Sequence, residues 1–100
     1  MALSFTAFLN DGPIRIMVGS RCDNVWIAKE TKNTITLAIR PESVLSQRLT
    51  LTRGVWAEFH VGNGHPVLVL YKQRKSGGYQ LCFEASQWVK IYRPGFIGIK

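Results

Sequence analysis

The stretch "TITLAIRPESVLSQRLTLTRGVWAEFHVGNG", residues 34–64, decides the fold class of this chain. Residues 35–39 alternate apolar with small or polar side chains, and this period of two is typical of a half-buried strand. A second alternation, over residues 55–61, runs into the sequence Gly-Asn-Gly at 62–64. Glycines at those positions supply the positive φ angles that a tight hairpin needs. The stretch therefore predicts antiparallel strands.

Between these two strands the pattern changes to that of a short helix. Pro41 suits the first turn of a helix, and the carboxylate of Glu42 complements the helix dipole. Apolar residues within 44–49 then share one helical face. The sequence predicts about two helical turns over residues 42–49, followed by a turn at residues 52–54.

The rest of the chain reads as short strands separated by turns rich in glycine, proline and polar residues. So many short strands leave exposed edges unless the sheet closes on itself. The predicted fold is therefore mainly β, a small β-barrel of short antiparallel strands with one short helix. Residues 1–100 form a single β-rich domain. The further strands are predicted at 14–18, 25–28, 66–72, 79–83 and 88–92.

The charge of the chain points to an anionic partner. Thirteen Lys+Arg against six Asp+Glu give a net charge of +7, and a basic balance of this size suits nucleic acid. The excess is concentrated after residue 71, where six basic residues stand against Glu84 alone. A polyanion such as DNA is the partner that this distribution favours.

Cysteine usage and the N-terminus bear on the compartment. Cys22 and Cys82 show no Cys-x-x-Cys spacing, and two such residues are expected to be reduced in a cytosolic core. The first apolar run has no preceding Lys or Arg and ends at Asn10, so it resembles neither a signal peptide nor a membrane span. We expect a cytoplasmic protein without a membrane partner.

The sequence carries no pattern of an enzyme. Its six carboxylates are scattered, and neither a Gly-x-Ser-x-Gly motif nor a glycine-rich phosphate loop occurs. His60 and His65 straddle a hairpin with no Asp or Cys at a ligand spacing, which argues against a metal site. No catalytic residue, no metal and no cofactor is predicted.

The order strand, short helix, "LTLTRG" turn and hairpin, over about residues 33–72, resembles the swapped-hairpin unit of the AbrB/MazE-like DNA-binding family. The resemblance implies a homodimer, because each hairpin half of that family completes its barrel with the half of a partner. It also implies a small DNA-binding protein of the transcription-regulator or antitoxin type.

Basic residues are the predicted contacts to DNA. Arg40 stands at the N-terminus of the predicted helix, where guanidinium and backbone N–H groups can donate to phosphate. Arg74 and Lys75 lie on a predicted glycine-rich loop that can follow a phosphate backbone. The complete predicted set is Lys32, Arg40, Arg48, Arg53, Lys72, Arg74, Lys75, Lys90 and Arg93.

Aromatic residues leave two further hypotheses open. In the strand at 88–92, Trp88, Lys90 and Tyr92 share one face. If that face is exposed, the two rings form a platform on which unpaired bases can stack. If it is buried, the rings belong to the core and the lysine amine reaches out to solvent. Trp56 is a candidate partner contact. A rival function is a phage- or plasmid-type inhibitor that docks on a host protein through Trp56, Phe59 and the apolar tail "FIGIK" at residues 96–100.

Overall fold

A computed structural model of the chain describes residues 2–9, 13–40, 47–61 and 64–93. These residues form strands and turns, and none of them is in a helix. The strands are β1 (Ala2–Ala7), β2 (Ile14–Val18), β3 (Arg21–Glu30), β4 (Thr34–Arg40), β5 (Gln47–Thr52), β6 (Trp56–Val61), β7 (His65–Lys75), β8 (Gly78–Ala85) and β9 (Val89–Tyr92).

The strands form two antiparallel sheets. One has four strands in the order β1-β8-β7-β6, and the other has five in the order β5-β4-β3-β2-β9. Every one of these pairings joins strands of the same chain. The prediction of a mainly β fold of antiparallel strands is confirmed.

One hydrophobic core lies between the two sheets, because each strand turns its apolar side inward. In the five-stranded sheet Ile35, Leu37 and Ile39 of β4 are buried, as their alternation predicts. In the four-stranded sheet Phe83 of β8 is fully buried and stacks on Phe5 of β1 with ring centroids 5.6 Å apart. The two sheets therefore form a sandwich.

The chain passes from one sheet to the other at Gly54, which has φ = 85°, a left-handed conformation that favours glycine. The N–H of Gly54 donates to the C=O of Tyr71 at 2.9 Å, and the N–H of Arg53 donates to the C=O of Asn33 at 3.0 Å. These two bonds tie the β5–β6 turn to both sheets. The predicted turn at residues 52–54 is thus confirmed.

The structure differs from the predicted architecture in two details. Within the described residues no ladder joins β1 to β9 or β5 to β6, so the sheets stay open and no barrel closes. The predicted helix over 42–49 is not seen: residues 42–46 lie outside the described residues, and Arg48 and Leu49 belong to β5. In β5 leucine alternates with threonine, as in a strand. All six residues of β5 pair with β4, and this pairing outweighs the helical spacing of residues 44–49.

Some predicted strands are too short, and the cysteine placement is also wrong. The strand predicted at 25–28 is the ten-residue β3, and the loop predicted from residue 73 is largely the end of β7, with the turn at Ser76 and Gly77. Cys22 and Cys82 are half-buried on the outer faces of different sheets, because each alternates with inward-facing neighbours. They form no disulfide with each other.

Gly78 gives a direct test of how closely residues 6–8, at the end of β1, pack against the start of β8. A Cβ atom at this position would lie 2.7 Å from the carbonyl oxygen of Ala7 and 2.8 Å from the side chains of Thr6 and Phe8. Because the nearest atom belongs to the backbone, we expect Gly78→Ala to lower the free energy of unfolding by about 1–3 kcal/mol. Urea denaturation followed by circular dichroism measures this change.

The neighbouring Gly77 supplies a control. It has φ = 82°, a Cβ atom added there would have no other atom within 4 Å, and asparagine tolerates this left-handed conformation. The left-handed φ is still strained for a residue with a Cβ atom, so Gly77→Asn should lower the free energy of unfolding by about 1 kcal/mol or less, without the clash that Gly78→Ala adds. Equal losses in the two variants would show that residues 6–8 do not pack against Gly78 as described.

Candidate functional site

The outer face of the five-stranded sheet gathers basic side chains from all five of its strands. The cross-strand register places Arg48 beside Ala38, and Ala38 beside Trp26. It likewise places Lys29 beside Thr36. These outward positions alternate with the core residues of the same strands. We call this surface the basic face: Arg15, Trp26, Lys29, Arg40, Arg48, Lys90 and Tyr92.

One row of the basic face crosses four adjacent strands. Asn24 pairs with Arg40 on one side and Arg15 on the other, and Arg15 in turn pairs with Tyr92. Three strand separations make this row about 14–15 Å long. In order along the row lie the guanidinium group of Arg40, the amide of Asn24, the guanidinium group of Arg15 and the phenol of Tyr92. A row of this composition can donate several hydrogen bonds to one anionic ligand.

Both arginines of this row lie over aromatic rings. The guanidinium carbon of Arg40 is 5.4 Å from the ring centroid of Trp26, and that of Arg15 is 5.6 Å from the ring centroid of Tyr92. Each such contact contributes about 0.5–1 kcal/mol at an exposed site. Because a guanidinium loses its mobility when it stacks, its N–H donors are already oriented before a ligand binds.

Threonines extend the polar character of the face toward the β3–β4 turn. Thr36 of β4 and Thr50 of β5 are cross-strand neighbours, and their hydroxyl groups are hydrogen-bonded at 3.3 Å. Thr34 and Thr52 form the next pair. Hydroxyl groups are common partners of phosphate oxygens, and they carry no charge that would repel an anion.

Among the described residues, no carboxylate occupies an outward position of this sheet. Asp23 of β3 points inward and is only 4% exposed. Glu30, at the end of the same strand, lies beside Ile35 and forms an ion pair with Arg74 at 4.0 Å. The positive potential of the basic face is therefore not offset by acids on the face itself.

A second group of basic residues lies at one end of the sandwich. Lys32 is in the β3–β4 turn and Arg53 in the β5–β6 turn, which the Arg53–Asn33 backbone bond holds together. Lys72, Arg74 and Lys75 are at the far end of β7, where Arg74 lies over the ring of Tyr79 at 5.3 Å. The structure thus divides the predicted basic residues, apart from Arg93, between this end and the basic face.

Of the other predicted residues, Lys90 and Tyr92 belong to the basic face, whereas Trp88, Arg93 and Trp56 lie outside it. Trp88, in the β8–β9 turn, is 67% exposed, and Lys90 and Tyr92 turn outward because Val89 and Ile91 are buried. Arg93 follows β9 beside an open groove between β9 and β1. Trp56 is exposed on the opposite sheet. Phe59, one of the predicted docking residues, is 5% exposed and belongs to the core, so its assignment is wrong; residues 96–100 of the same prediction lie outside the described residues.

Three residues of the basic face are absent from the predicted set: Arg15, Trp26 and Lys29. The signal for two of them is local, because Arg15 stands between buried Ile14 and Ile16, and Trp26 between buried Val25 and Ile27. Lys29 follows a bulge in β3 that restores its outward position, and no local pattern reveals this.

Comparison of the chain with protein-family models, curated proteins and solved structures finds no match. In the described part of the chain, no three His, Cys, Asp or Glu side chains are grouped to hold a metal ion. Nor does that part contain a helix with the length and hydrophobicity to cross a bilayer. The basic face, with its clustered cations and no outward carboxylate among the described residues, is therefore the candidate binding site for an anionic ligand.

Proposed function

We propose that this chain is a small DNA-binding protein that contacts the phosphate backbone through its basic face. The observation that carries the proposal is the arrangement of its five cations, one on each strand of the sheet, with no outward carboxylate among the described residues. Phosphate attracts such a surface irrespective of sequence.

The basic end of the sandwich supports the same proposal in a secondary role. Lys32, Arg53 and Lys75 lie beyond the threonine pairs of the sheet, so a polyanion longer than the face can continue onto them. The role in transcription regulation or as an antitoxin, the homodimer and the cytoplasmic location rest on the sequence and its resemblance to the AbrB/MazE-like family. They stay predictions.

A second candidate is a binder of single-stranded nucleic acid, and the aromatic residues of the face favour it. Trp26 and Tyr92 lie among the basic residues, and Trp88 is exposed beside β9. Unpaired bases stack on aromatic side chains of an open sheet, whereas bases inside a duplex are not available for stacking.

A salt titration tests the proposal and separates the two candidates. Five phosphate contacts predict that log K falls with log [salt] with a slope of about −3 to −5 for duplex DNA. Fluorescence anisotropy with labelled duplex and single-stranded oligonucleotides of equal length measures this slope. Affinity that hardly depends on salt would contradict phosphate-led binding, and tighter binding of the single strand with quenched tryptophan fluorescence would favour the second candidate.

A further inference from the structure

The outer face of the four-stranded sheet differs in chemistry from the basic face. Its cross-strand rows place Trp56 beside Leu70, and Leu70 beside Cys82. Trp56 is 43% exposed, and Leu68, one row further, is 37% exposed. Adjacent exposed apolar side chains on the outer face of a sheet favour contact with a partner, because such contact removes apolar surface from water. We call this surface the acidic face: Trp56, Glu58, Pro66, Leu68, Leu70 and Glu84.

Two carboxylates flank the apolar centre of the acidic face. Leu68 of β7 has Glu58 of β6 on one side and Glu84 of β8 on the other, so the two carboxylate-bearing strands are about 10 Å apart. Together with Pro66, Ala85 and Ser86 these three residues line an open pocket of about 280 Å³. His60 Nε2 lies 3.1 Å from an Oε atom of Glu58 at its margin.

The pocket can accommodate a long basic side chain. The aliphatic stem of a lysine or arginine can lie on Leu68 and Pro66, while its cationic head reaches Glu58 and Glu84. A guanidinium group can donate to both carboxylates, and hydrogen bonds between charged groups are stronger than those between neutral ones. An anionic group has no favourable partner there.

Charge is segregated between the two outer faces. The chain has 13 Lys+Arg and 6 Asp+Glu, yet the cross-strand neighbours of Leu68 and Leu70 are Glu58, Glu84, Trp56 and Cys82, and the nearest lysine or arginine along β7 is Lys72. Glu58 and Glu84 repel phosphate from the surface around Leu68, so this surface is separate from the proposed DNA interface. Face-to-face packing of a second copy would bring four carboxylates together, which disfavours that occupant.

We propose that the acidic face is a docking surface for a protein whose contact surface combines an apolar patch with a lysine or arginine. The apolar patch covers Trp56, Leu68 and Leu70, and the basic side chain enters the pocket between Glu58 and Glu84. This proposal does not depend on DNA binding, because the two surfaces lie on opposite sides of the sandwich.

The probe is a library of random twelve-residue peptides displayed on phage, selected on the immobilised protein. We expect the selected peptides to combine Arg or Lys with aromatic or aliphatic residues. Titration of one synthetic peptide into ¹⁵N-labelled protein should then shift the amide signals of β6, β7 and β8. The double variant Glu58→Gln/Glu84→Gln should bind this peptide about tenfold more weakly.

Glu30→Gln is the matched control, because Glu30 is another exposed carboxylate but lies at the end of β3. It should leave peptide affinity unchanged, and the Glu58/Glu84 variant should bind DNA at least as well as the original protein. Selection of peptides without basic residues, or equal peptide binding by the double variant, would overturn the proposal. Self-association of the protein through this face, detected by sedimentation, would also overturn the proposal.

Discussion

The triple variant Arg15→Glu/Arg40→Glu/Arg48→Glu is expected to bind DNA on the order of 10³-fold more weakly than the original chain. These three arginines project from β2, β4 and β5, and their charges add on a face that has no outward carboxylate among the described residues. Each reversal removes an attraction to phosphate and adds a repulsion. Fluorescence anisotropy at fixed ionic strength measures the loss.

The control for this prediction reverses an equal charge elsewhere. Lys32→Glu/Arg53→Glu/Lys75→Glu alters the basic end of the sandwich and lowers the net charge by the same amount. We expect a loss of only about tenfold from it, because these residues supply only the secondary contacts of a polyanion that extends beyond the basic face, and their longer-range attraction is screened beyond about 10 Å at 0.1 M salt. Equal losses in the two triple variants would show that net charge, and not the basic face, governs binding.

Stability must be compared in the same experiment. Loss of the contacts of Arg40 with Trp26 and of Arg15 with Tyr92 is expected to cost about 1–2 kcal/mol in total, since each contributes about 0.5–1 kcal/mol. The three side chains lie on the outer face, so the core is unaffected. A thermal melt by circular dichroism therefore separates loss of binding from loss of fold.

Much of the fold follows from the period of two in the sequence. Alternation in β4 and β6 predicts which side chains are buried, because each strand has one face on the core. The same alternation cannot distinguish a barrel from a sandwich, since both bury one face of every strand. Whether β1 and β9 join depends on twist and on strand length, which no local pattern contains.

The error over residues 47–49 has a different cause. Arg48 and Leu49 fit a helical face when they are considered together with residues 44 and 45, and they fit a strand when considered with residues 50–52. The pairing of β5 with β4, from Gln47 opposite Ile39 to Thr52 opposite Thr34, selects the strand. Such pairing is a tertiary contact, and it outweighs local propensity.

The candidate site was predictable only in part, for the same reason. Charge alone identifies Arg40 and Arg48 as candidates, but it does not reveal that Arg15 lies in the same row as Arg40. That row requires the order β4-β3-β2-β9, in which strands distant in sequence become neighbours. The division between basic and acidic faces becomes visible only when register assigns every outward side chain to a sheet.

Phe83→Ala is expected to lower the free energy of unfolding by about 3–5 kcal/mol, a large fraction of the stability of an ordinary domain. Phe83 is fully buried, stacks on Phe5, and lies between Val69 of β7 and Leu3 of β1 in its own sheet. Truncation leaves a cavity that rigid neighbouring strands can only partly fill. Chemical denaturation followed by circular dichroism measures the change.

Leu68→Ala is the control, because Leu68 lies on the neighbouring strand β7 but points to the outer face. Its truncation should cost less than about 1 kcal/mol, since 37% of the residue is already exposed in the folded chain. The contrast tests the sandwich itself: one face of the four-stranded sheet meets the five-stranded sheet, and the other meets solvent. If Leu68→Ala destabilised the chain as much as Phe83→Ala, both faces of this sheet would have to be covered, and the acidic face could not be open to a partner.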